Sequence, residues 1–276
     1  MTWLGHLDLH YTSHQGETRA LDRHHGPLRV LRRLYPEGPA VCHHVLVHPP
    51  GGIVGGDRLE VEARLDAGSH ALLTTPGATR FYRSGGAVAE QRVRARLEDG
   101  ARLEWLPLET LAYRGCRAEN HLRFELAPGA EMMGWDLLAL GLPAAGEPWD
   151  EGDYLQHLEL PGVWLERARV RADDHRLLHS PLGWAGQGVL ATLWFATGKL
   201  LEPSRREALL EAARAAVDTF EPVLPAGATS PDDRVLVLRA LAPRVEPVMA
   251  LLQQVWARWR QAGWGLAPCP PRVWRT

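Results

Sequence analysis

The sequence predicts a mainly β protein of many short strands, with two α-helices near its C-terminal end. Three observations lead to this prediction. Apolar and polar residues alternate along most of the first 180 positions, Gly and Pro turn signals separate the alternating stretches, and the hydrophobic period becomes helical after Pro203. With 276 residues, 45% of them hydrophobic, the chain is long and apolar enough to build a packed core.

The strands are predicted from the alternation. Each stretch puts apolar side chains on one face and charged side chains on the other, which is typical of a half-buried antiparallel strand. The clearest stretches are residues 7–11, 59–65, 93–97, 122–126 and 165–170. Turn signals at residues 66–68, 98–100 and 127–129 suggest hairpin-like spacing. This pattern leaves a sandwich, a barrel and stacked sheets open as architectures.

The two helices are predicted near the C-terminal end. Ser204 and Glu207 have the spacing of a capping box, so the first helix is expected over about residues 204–220. Residues 234–241 return to an extended pattern, and the second helix is expected over about residues 244–261. No change of composition marks a linker. We therefore expect a single domain over residues 1–276, with a β body over about 1–202 and 234–241.

Composition excludes several classes of function. A formal net charge of −2 argues against a general nucleic-acid binder, which must neutralise phosphates. Three cysteines without a CxxC pair indicate neither a disulfide framework nor a zinc finger. No secretory signal and no stretch of ~20 apolar residues is apparent, so no membrane association and a cytoplasmic location are expected.

The most distinctive local feature is a glycine-rich segment, residues 48–57, which reads HPPGGIVGGD. Glycine-rich loops can bind phosphate, but a P-loop continues with Gly-Lys-Ser/Thr, whereas Asp57 and Arg58 follow here. A turn-dense connection with several positive φ angles is therefore favoured. In that case Asp57 either caps a turn or points into a cavity.

Possible metal ligands occur just before this segment. Cys42, His44 and His48 would share one face of a strand. A closed site needs a fourth ligand and oriented partners, and neither is visible, so ordinary hydrogen bonds are favoured for these histidines.

Two carboxylates lie among apolar neighbours, Glu109 and Glu166. Such a carboxylate must find a partner or face a wet cavity. For Glu166 an ion pair with an arginine is favoured, with cavity lining as the alternative. No nucleophile elbow or other catalytic signature occurs, so the chain is not predicted to be an enzyme.

Longer stretches along the chain resemble the UreD (UreH) family of urease accessory proteins. The most specific are HPPGGIVGGDRL at residues 48–59 and LLTTPGATRFYRS at residues 72–84. Further matching stretches are residues 24–30, 34–38, 42–43, 103–107, 134–136, 140–147 and 269–274. The family usually has glutamine where this chain has Leu108, and the match weakens around residues 147–200.

The resemblance implies a fold of many strands stacked in a β-helix-like, two-sheet arrangement with two C-terminal helices. It implies a non-catalytic scaffold that binds the urease apoprotein and the accessory protein UreF, and through UreF the GTPase UreG. Nickel(II) would be cargo in transit through an internal polar tunnel, with no tightly bound cofactor. A homodimer within the accessory complex is a further expectation.

Two sets of site residues follow from this resemblance and from residue type. Asp57, Glu109 and Glu166 are expected to line the nickel path, because oxygen ligands hold nickel weakly enough to release it. Four tryptophans, Trp256, Trp259, Trp264 and Trp274, are expected to bind a partner, because a lone helix on a sheet buries only one stripe and large rings are enriched at interfaces. The alternative function is a β-sheet protein that binds a carbohydrate or small ligand, or an enzyme with a site at Asp57 and Glu109.

Overall fold

The computed structural model describes residues 3–275, so residues 1, 2 and 276 of the predicted domain lie outside it. Strands make up 47% of the chain and helices 17%, which confirms the mainly β class. The strands are β1 (Leu4–His14), β2 (Glu17–His25), β3 (Arg29–Val30), β4 (Val41–Val47), β5 (Arg58–Leu65), β6 (His70–Thr74), β7 (Thr79–Phe81), β8 (Ala89–Leu97), β9 (Arg102–Trp105), β10 (Thr110–Ala112), β11 (Cys116–Leu126), β12 (Glu131–Leu140), β13 (Gly152–Leu160), β14 (Trp164–Arg171), β15 (Val189–Thr197), β16 (Ala226–Asp232) and β17 (Val235–Ala242). The α-helices are α1 (His175–His179), α2 (Pro203–Asp218) and α3 (Val245–Trp264).

The strands form two stacked sheets. The first sheet has the order β14-β13-β11-β8-β5-β1-β2, and the second has β16-β17-β15-β12-β9-β6-β4-β3, with β10 and β7 paired beside β12. From β5 to β13 the chain passes repeatedly from the first sheet to the second and back, so each coil stacks on the one before. This arrangement confirms the stacked two-sheet fold.

The predicted strand direction is wrong for most of the first sheet. Strands β1, β5, β8, β11 and β13 pair in parallel, and the antiparallel pairs of this sheet are β1 with β2 and β13 with β14. Alternation indicates that one face of a strand is buried and the other is exposed to solvent. It does not report direction, because stacked coils with one exposed face produce the same pattern as hairpins do.

The three predicted turns connect the two sheets and do not close hairpins. They join β5 to β6, β8 to β9 and β11 to β12, and each contains the same backbone hydrogen bond. The three bonds run from Ser69 N to Asp66 O, from Ala101 N to Glu98 O and from Ala130 N to Ala127 O. The repeated turn places successive coils in register.

Two cores follow from this architecture. The first lies between the sheets and includes Leu9, Val93 and Met132. The second lies between the outer face of the second sheet and helices α2 and α3, and includes Phe195 and Leu252. The second sheet is therefore buried on both faces where the helices cover it. No helix within residues 3–275 is long and apolar enough to cross a membrane.

Both predicted helices are present, but their ends differ from the prediction. The predicted capping box is not formed, because α2 begins one residue earlier, with Glu202 as N-cap and Pro203 at the first helical position. Proline is pre-organised for that position, so Ser204 lies inside the first turn. Helix α3 continues to Trp264 and ends at Gly265, whose φ is +66°. Helix α1 and strand β16 were not predicted.

The four tryptophans expected to bind a partner are largely buried and hydrogen-bonded within the protein. Trp256, Trp259 and Trp264 are 1%, 0% and 8% exposed, and Trp274 is half-buried. The prediction assumed a lone helix on a sheet, but α2 packs beside α3 and covers its second face. Partner binding by these tryptophans stays a prediction, but the side chains are not exposed as that prediction assumed. Their indole N–H groups donate to Glu104 Oε2 (2.6 Å), Leu209 O (2.8 Å), Glu131 Oε2 (2.6 Å) and Thr74 Oγ1 (2.8 Å), respectively.

Trp256→Ala is expected to lower the free energy of unfolding by about 3–5 kcal/mol, because it removes a buried ring and leaves a cavity. Denaturant unfolding of the full chain measures this, and Leu200→Ala, at a side chain 67% exposed, is the control. An alanine variant as stable as the control that had lost binding to a partner would contradict this account of Trp256.

Candidate functional site

A row of amide side chains crosses the interior of the first sheet. Gln91 on β8, Asn120 on β11 and Gln156 on β13 occupy the same register position on neighbouring parallel strands. Gln91 Nε2 donates to Asn120 Oδ1 (3.1 Å), and Asn120 Nδ2 donates to Gln156 Oε1 (3.2 Å). These residues stand at inward positions that apolar side chains occupy elsewhere on the strands, so polar groups pass through the core between the sheets.

Two carboxylates face this row. Asp136 projects inward from β12 on the second sheet, and its Oδ1 accepts a hydrogen bond from Asn120 Nδ2 (3.1 Å). Glu166 projects inward from β14 and accepts from Thr192 Oγ1 (3.4 Å) and from Arg239 Nη2 (2.5 Å). Asp136, Thr192 and Arg239 are register partners on β12, β15 and β17. The polar row therefore extends from Gln91 to the Glu166–Arg239 ion pair. It reaches the surface there, since the Arg239 side chain is 54% exposed.

The electrostatics single out Asp136. Burial, together with the negative charge of Glu166, raises the pKa of Asp136 from its ordinary value of 3.8 to about 7, although the Asn120 hydrogen bond works in the opposite direction. A carboxyl group with that pKa exchanges a proton near neutral pH. On losing the proton it presents an anionic oxygen that a divalent cation can bind.

Two cavities lie along the row. A cavity of about 180 Å³ is lined by Gln91, Trp105 and His48, among others, and a smaller one of about 60 Å³ by Asp136, Gln156 and Glu166. Trp105 Nε1 in the first and Gln156 Nε2 in the second have no hydrogen-bond partner among the described residues. Buried polar atoms are normally paired, so each cavity has at least one polar atom that is open to a ligand or a water molecule, although both linings are mainly apolar.

The two most distinctive sequence segments meet at the larger cavity. Ile53 N donates to Arg80 O (2.7 Å), and Tyr82 N donates to Ile53 O (2.9 Å), which joins residues 48–57 to residues 72–84. Gly52 permits this approach, since a Cβ there would lie 2.1 Å from Tyr82 Cε2. The glycine-rich segment is thus a close-packed connection beside a cavity.

Comparison with known proteins decides the family. A family model described as UreD urease accessory protein matches residues 4–275. The chain is 65% identical to the urease accessory protein UreD of Leptothrix cholodnii and 59% identical to that of Methylibium petroleiphilum, in each case over 100% of both chains. It is 57% identical to the UreD of Variovorax paradoxus, again over 100% of both.

The chain belongs to the UreD urease accessory protein family. The resemblance seen in the sequence is therefore confirmed at the level of the family. Membership in an accessory family implies a non-catalytic role.

Of the three carboxylates predicted for a nickel path in this UreD-family chain, the structure brings only Glu166 to the polar row. Asp57 is buried at 8% exposure and caps a turn, accepting a hydrogen bond from Val54 N (3.3 Å). Glu109 is half-buried in the connection between β9 and β10. Neither of these two residues lines the larger or the smaller cavity. Both readings of Glu166 apply, since it forms an ion pair and also lines the smaller cavity.

The cluster of Cys42, His44 and His48 is not arranged as a metal site. His44 is fully buried and its Nδ1 is 2.7 Å from the hydroxyl of Tyr11, and burial lowers its pKa to about 4. Burial raises the pKa of Cys42 to about 11, which keeps it a thiol, whereas metals bind the thiolate. Within residues 3–275 no group of three or more His, Cys, Asp or Glu side chains is arranged to hold a metal ion.

Sequence reasoning missed Asp136, the most perturbed carboxyl group of the row. The signal was available, because Asp136 is the one charged residue in MMGWDLLAL, residues 132–140. The criterion that selected Glu109 and Glu166, a carboxylate among apolar neighbours, selects Asp136 more strongly.

Proposed function

We propose that this chain is a urease maturation scaffold that passes nickel(II) along the polar row between its two sheets. The observation that carries the proposal is the row itself, in which Asp136, Glu166 and three amides place polar side chains across an otherwise apolar core. Such groups are oxygen donors, and several weak oxygen sites in series suit a cation that must leave as readily as it enters.

Each member of the row has a distinct part in this proposal. Asp136 binds the cation as it releases its proton, and Asn120 keeps the Asp136 carboxylate oriented through its Nδ2 hydrogen bond. Gln91 and Gln156 offer amide oxygens on either side of Asn120. Glu166 receives the cation near the surface, where the cation competes with Arg239 for the carboxylate.

The partners in the proposal are the urease apoprotein and the accessory protein UreF, with the GTPase UreG reached through UreF. A homodimer within the accessory complex and a cytoplasmic location belong to the same proposal. The support is family membership. Relatives that this chain matches over 100% of their length are named urease accessory protein UreD. Co-purification of the tagged chain with urease subunits and UreF tests the scaffold part, and a chain that captured neither would contradict it.

Glu166→Gln is expected to reduce the nickel content of urease several-fold in cells grown at low nickel, because it removes one negative charge from the path. The variant should still assemble, since a glutamine of similar shape can still accept from Thr192. The measurement is nickel per urease active site, with complex assembly checked by pull-down. Glu62→Gln is the matched control, because Glu62 is an exposed carboxylate on the outer face of the first sheet. Full loading with Glu166→Gln would remove Glu166 from the path.

A further inference from the structure

Helix α1 is short but firmly anchored between β14 and β15. Leu177 and Leu178 pack against the core between the sheets. Asp174 caps the helix by accepting from Leu177 N (3.0 Å), and the following loop closes back on it, with Trp184 N donating to Leu177 O (2.8 Å) and Gly186 N donating to Leu178 O (2.8 Å). The backbone of α1 is therefore held in place independently of its outward-facing side chains.

Two histidines stand on the outer side of this helix. His175 and His179 are four residues apart, both are exposed, and their ring centroids are 6.0 Å apart with an interplanar angle of 17°. Histidines spaced i, i+4 on one helix face are the pair that binds zinc in the H-E-x-x-H motif. The two rings are stacked in the structure. Because both side chains are exposed, the rings can turn until one nitrogen of each lies about 2.1 Å from a shared cation.

We propose that His175 and His179 bind one divalent cation of the imidazole-preferring class, to which nickel(II) and zinc(II) belong. The nearest acidic side chains are already engaged, because Asp174 caps the helix and Asp173 forms an ion pair with Arg171 (2.5 Å). The protein therefore supplies two ligands, and water completes the coordination. Two imidazoles and open positions make a site that exchanges its cation, unlike a closed four-ligand site.

The position of this pair relates it to the interior. Leu177 of the same helix lines the smaller cavity together with Trp184, Asp136 and Glu166. Helix α1 thus separates the two places. A cation on the histidines would lie on its outer side, and the cavity with Asp136 and Glu166 lies on its inner side. The binding site is proposed independently of any passage through the row, so the two ideas can fail separately.

The test is nickel(II) binding to the full-length chain, purified without a histidine tag, by competition with a metal-indicator dye. We expect the tightest nickel(II) site of the chain to be weakened at least tenfold in His175→Ala and in His179→Ala. Both side chains are exposed, so both variants should fold. Amide hydrogen exchange locates the site, since a cation bridging successive turns should slow exchange across residues 175–179. Zinc(II) should compete for the site and magnesium(II) should not.

The chain offers a matched control in a second histidine pair. His121 and His157 have ring centroids 5.5 Å apart on β11 and β13, but the Nε2 atom of each already contacts a carboxylate, that of Glu119 (3.0 Å) and of Glu159 (3.5 Å). Arg92 and Arg167 occupy the flanking positions of the same row. Because these imidazoles are held by carboxylates and flanked by guanidinium groups, His121→Ala should bind nickel as the unmodified chain does. Unchanged affinity in both helix variants, or loss of the site in His121→Ala instead, would overturn the proposal. Neither result depends on urease activation.

Discussion

Asp136→Asn is expected to make the protein more stable at pH 8 and to change the pH dependence of its stability. The pKa of Asp136 is raised in the folded protein to about 7 from 3.8, first by burial and then by Glu166. The folded state therefore binds this proton more tightly than the unfolded chain does. The free energy of unfolding should fall as the pH rises from about 4 through 7, and this loss is absent when residue 136 is a neutral asparagine.

The size of this effect follows from the shift. One pKa unit corresponds to 1.36 kcal/mol, so a shift of roughly three units corresponds to roughly 4 kcal/mol above pH 8. An asparagine can still accept the Asn120 hydrogen bond, so the packing is kept. Denaturant unfolding of both proteins at pH 4 and pH 8 measures the difference. Equal stability at pH 8, with the same pH slope, would show that Asp136 is an ordinary ionised carboxylate.

Arg260→Ala is expected to cause a large loss of stability, comparable to that of Trp256→Ala. Arg260 is fully buried in α3 and forms a bidentate ion pair with Glu37 (2.8 and 2.9 Å) and a further bond to Glu104 Oε1 (3.1 Å). Glu104 is also fully buried; burial opposes its charge, but bonds from His70, Arg260 and Trp256 lower its pKa. Removing one partner of such a buried network typically costs about 3–5 kcal/mol, because a charge is left uncompensated.

The same helix provides the control for this prediction. Arg258 is half-buried and donates one longer hydrogen bond to Ala212 O (3.3 Å), so Arg258→Ala should cost about 1 kcal/mol or less. Urea unfolding, followed by tryptophan fluorescence, compares the two variants. If Arg260→Ala were no less stable than Arg258→Ala, the buried network would not be what holds α3 on the second sheet.

The strands that could be predicted from the sequence are those with one solvent-exposed face. All five alternating stretches, for example residues 59–65 and 93–97, lie in the first sheet, whose outer face is open. Strands such as β12 and β15 have apolar residues on both faces because helices cover the second sheet, so their sequences do not alternate. Strand direction depends on stacking between residues that are distant in the sequence, so no local pattern indicates it. Strand β16 is only weakly apolar, and for the same reason its sequence does not predict a strand.

The candidate site was predictable only in part, for a related reason. Glu166 was recognised because a carboxylate among apolar neighbours needs an explanation, and Asp136 satisfies the same criterion. Asn120 and Gln91 stand in alternating strands where neutral polar residues attract no attention. Their significance comes from register across strands, which a single sequence does not show. The exposure assumed for the tryptophans of α3 was wrong, because the packing of α2 beside that helix could not be predicted from either helix alone.

The measurement that tests the nickel path most directly is the nickel content of urease from cells whose accessory protein carries Asp136→Asn. The variant is expected to be stable and to co-purify with urease and UreF as the unmodified chain does. Because its path lacks the one carboxylate between the amides and Glu166, urease should contain several-fold less nickel per active site at limiting nickel. A urease fully loaded by an assembled Asp136→Asn complex would contradict the proposed path.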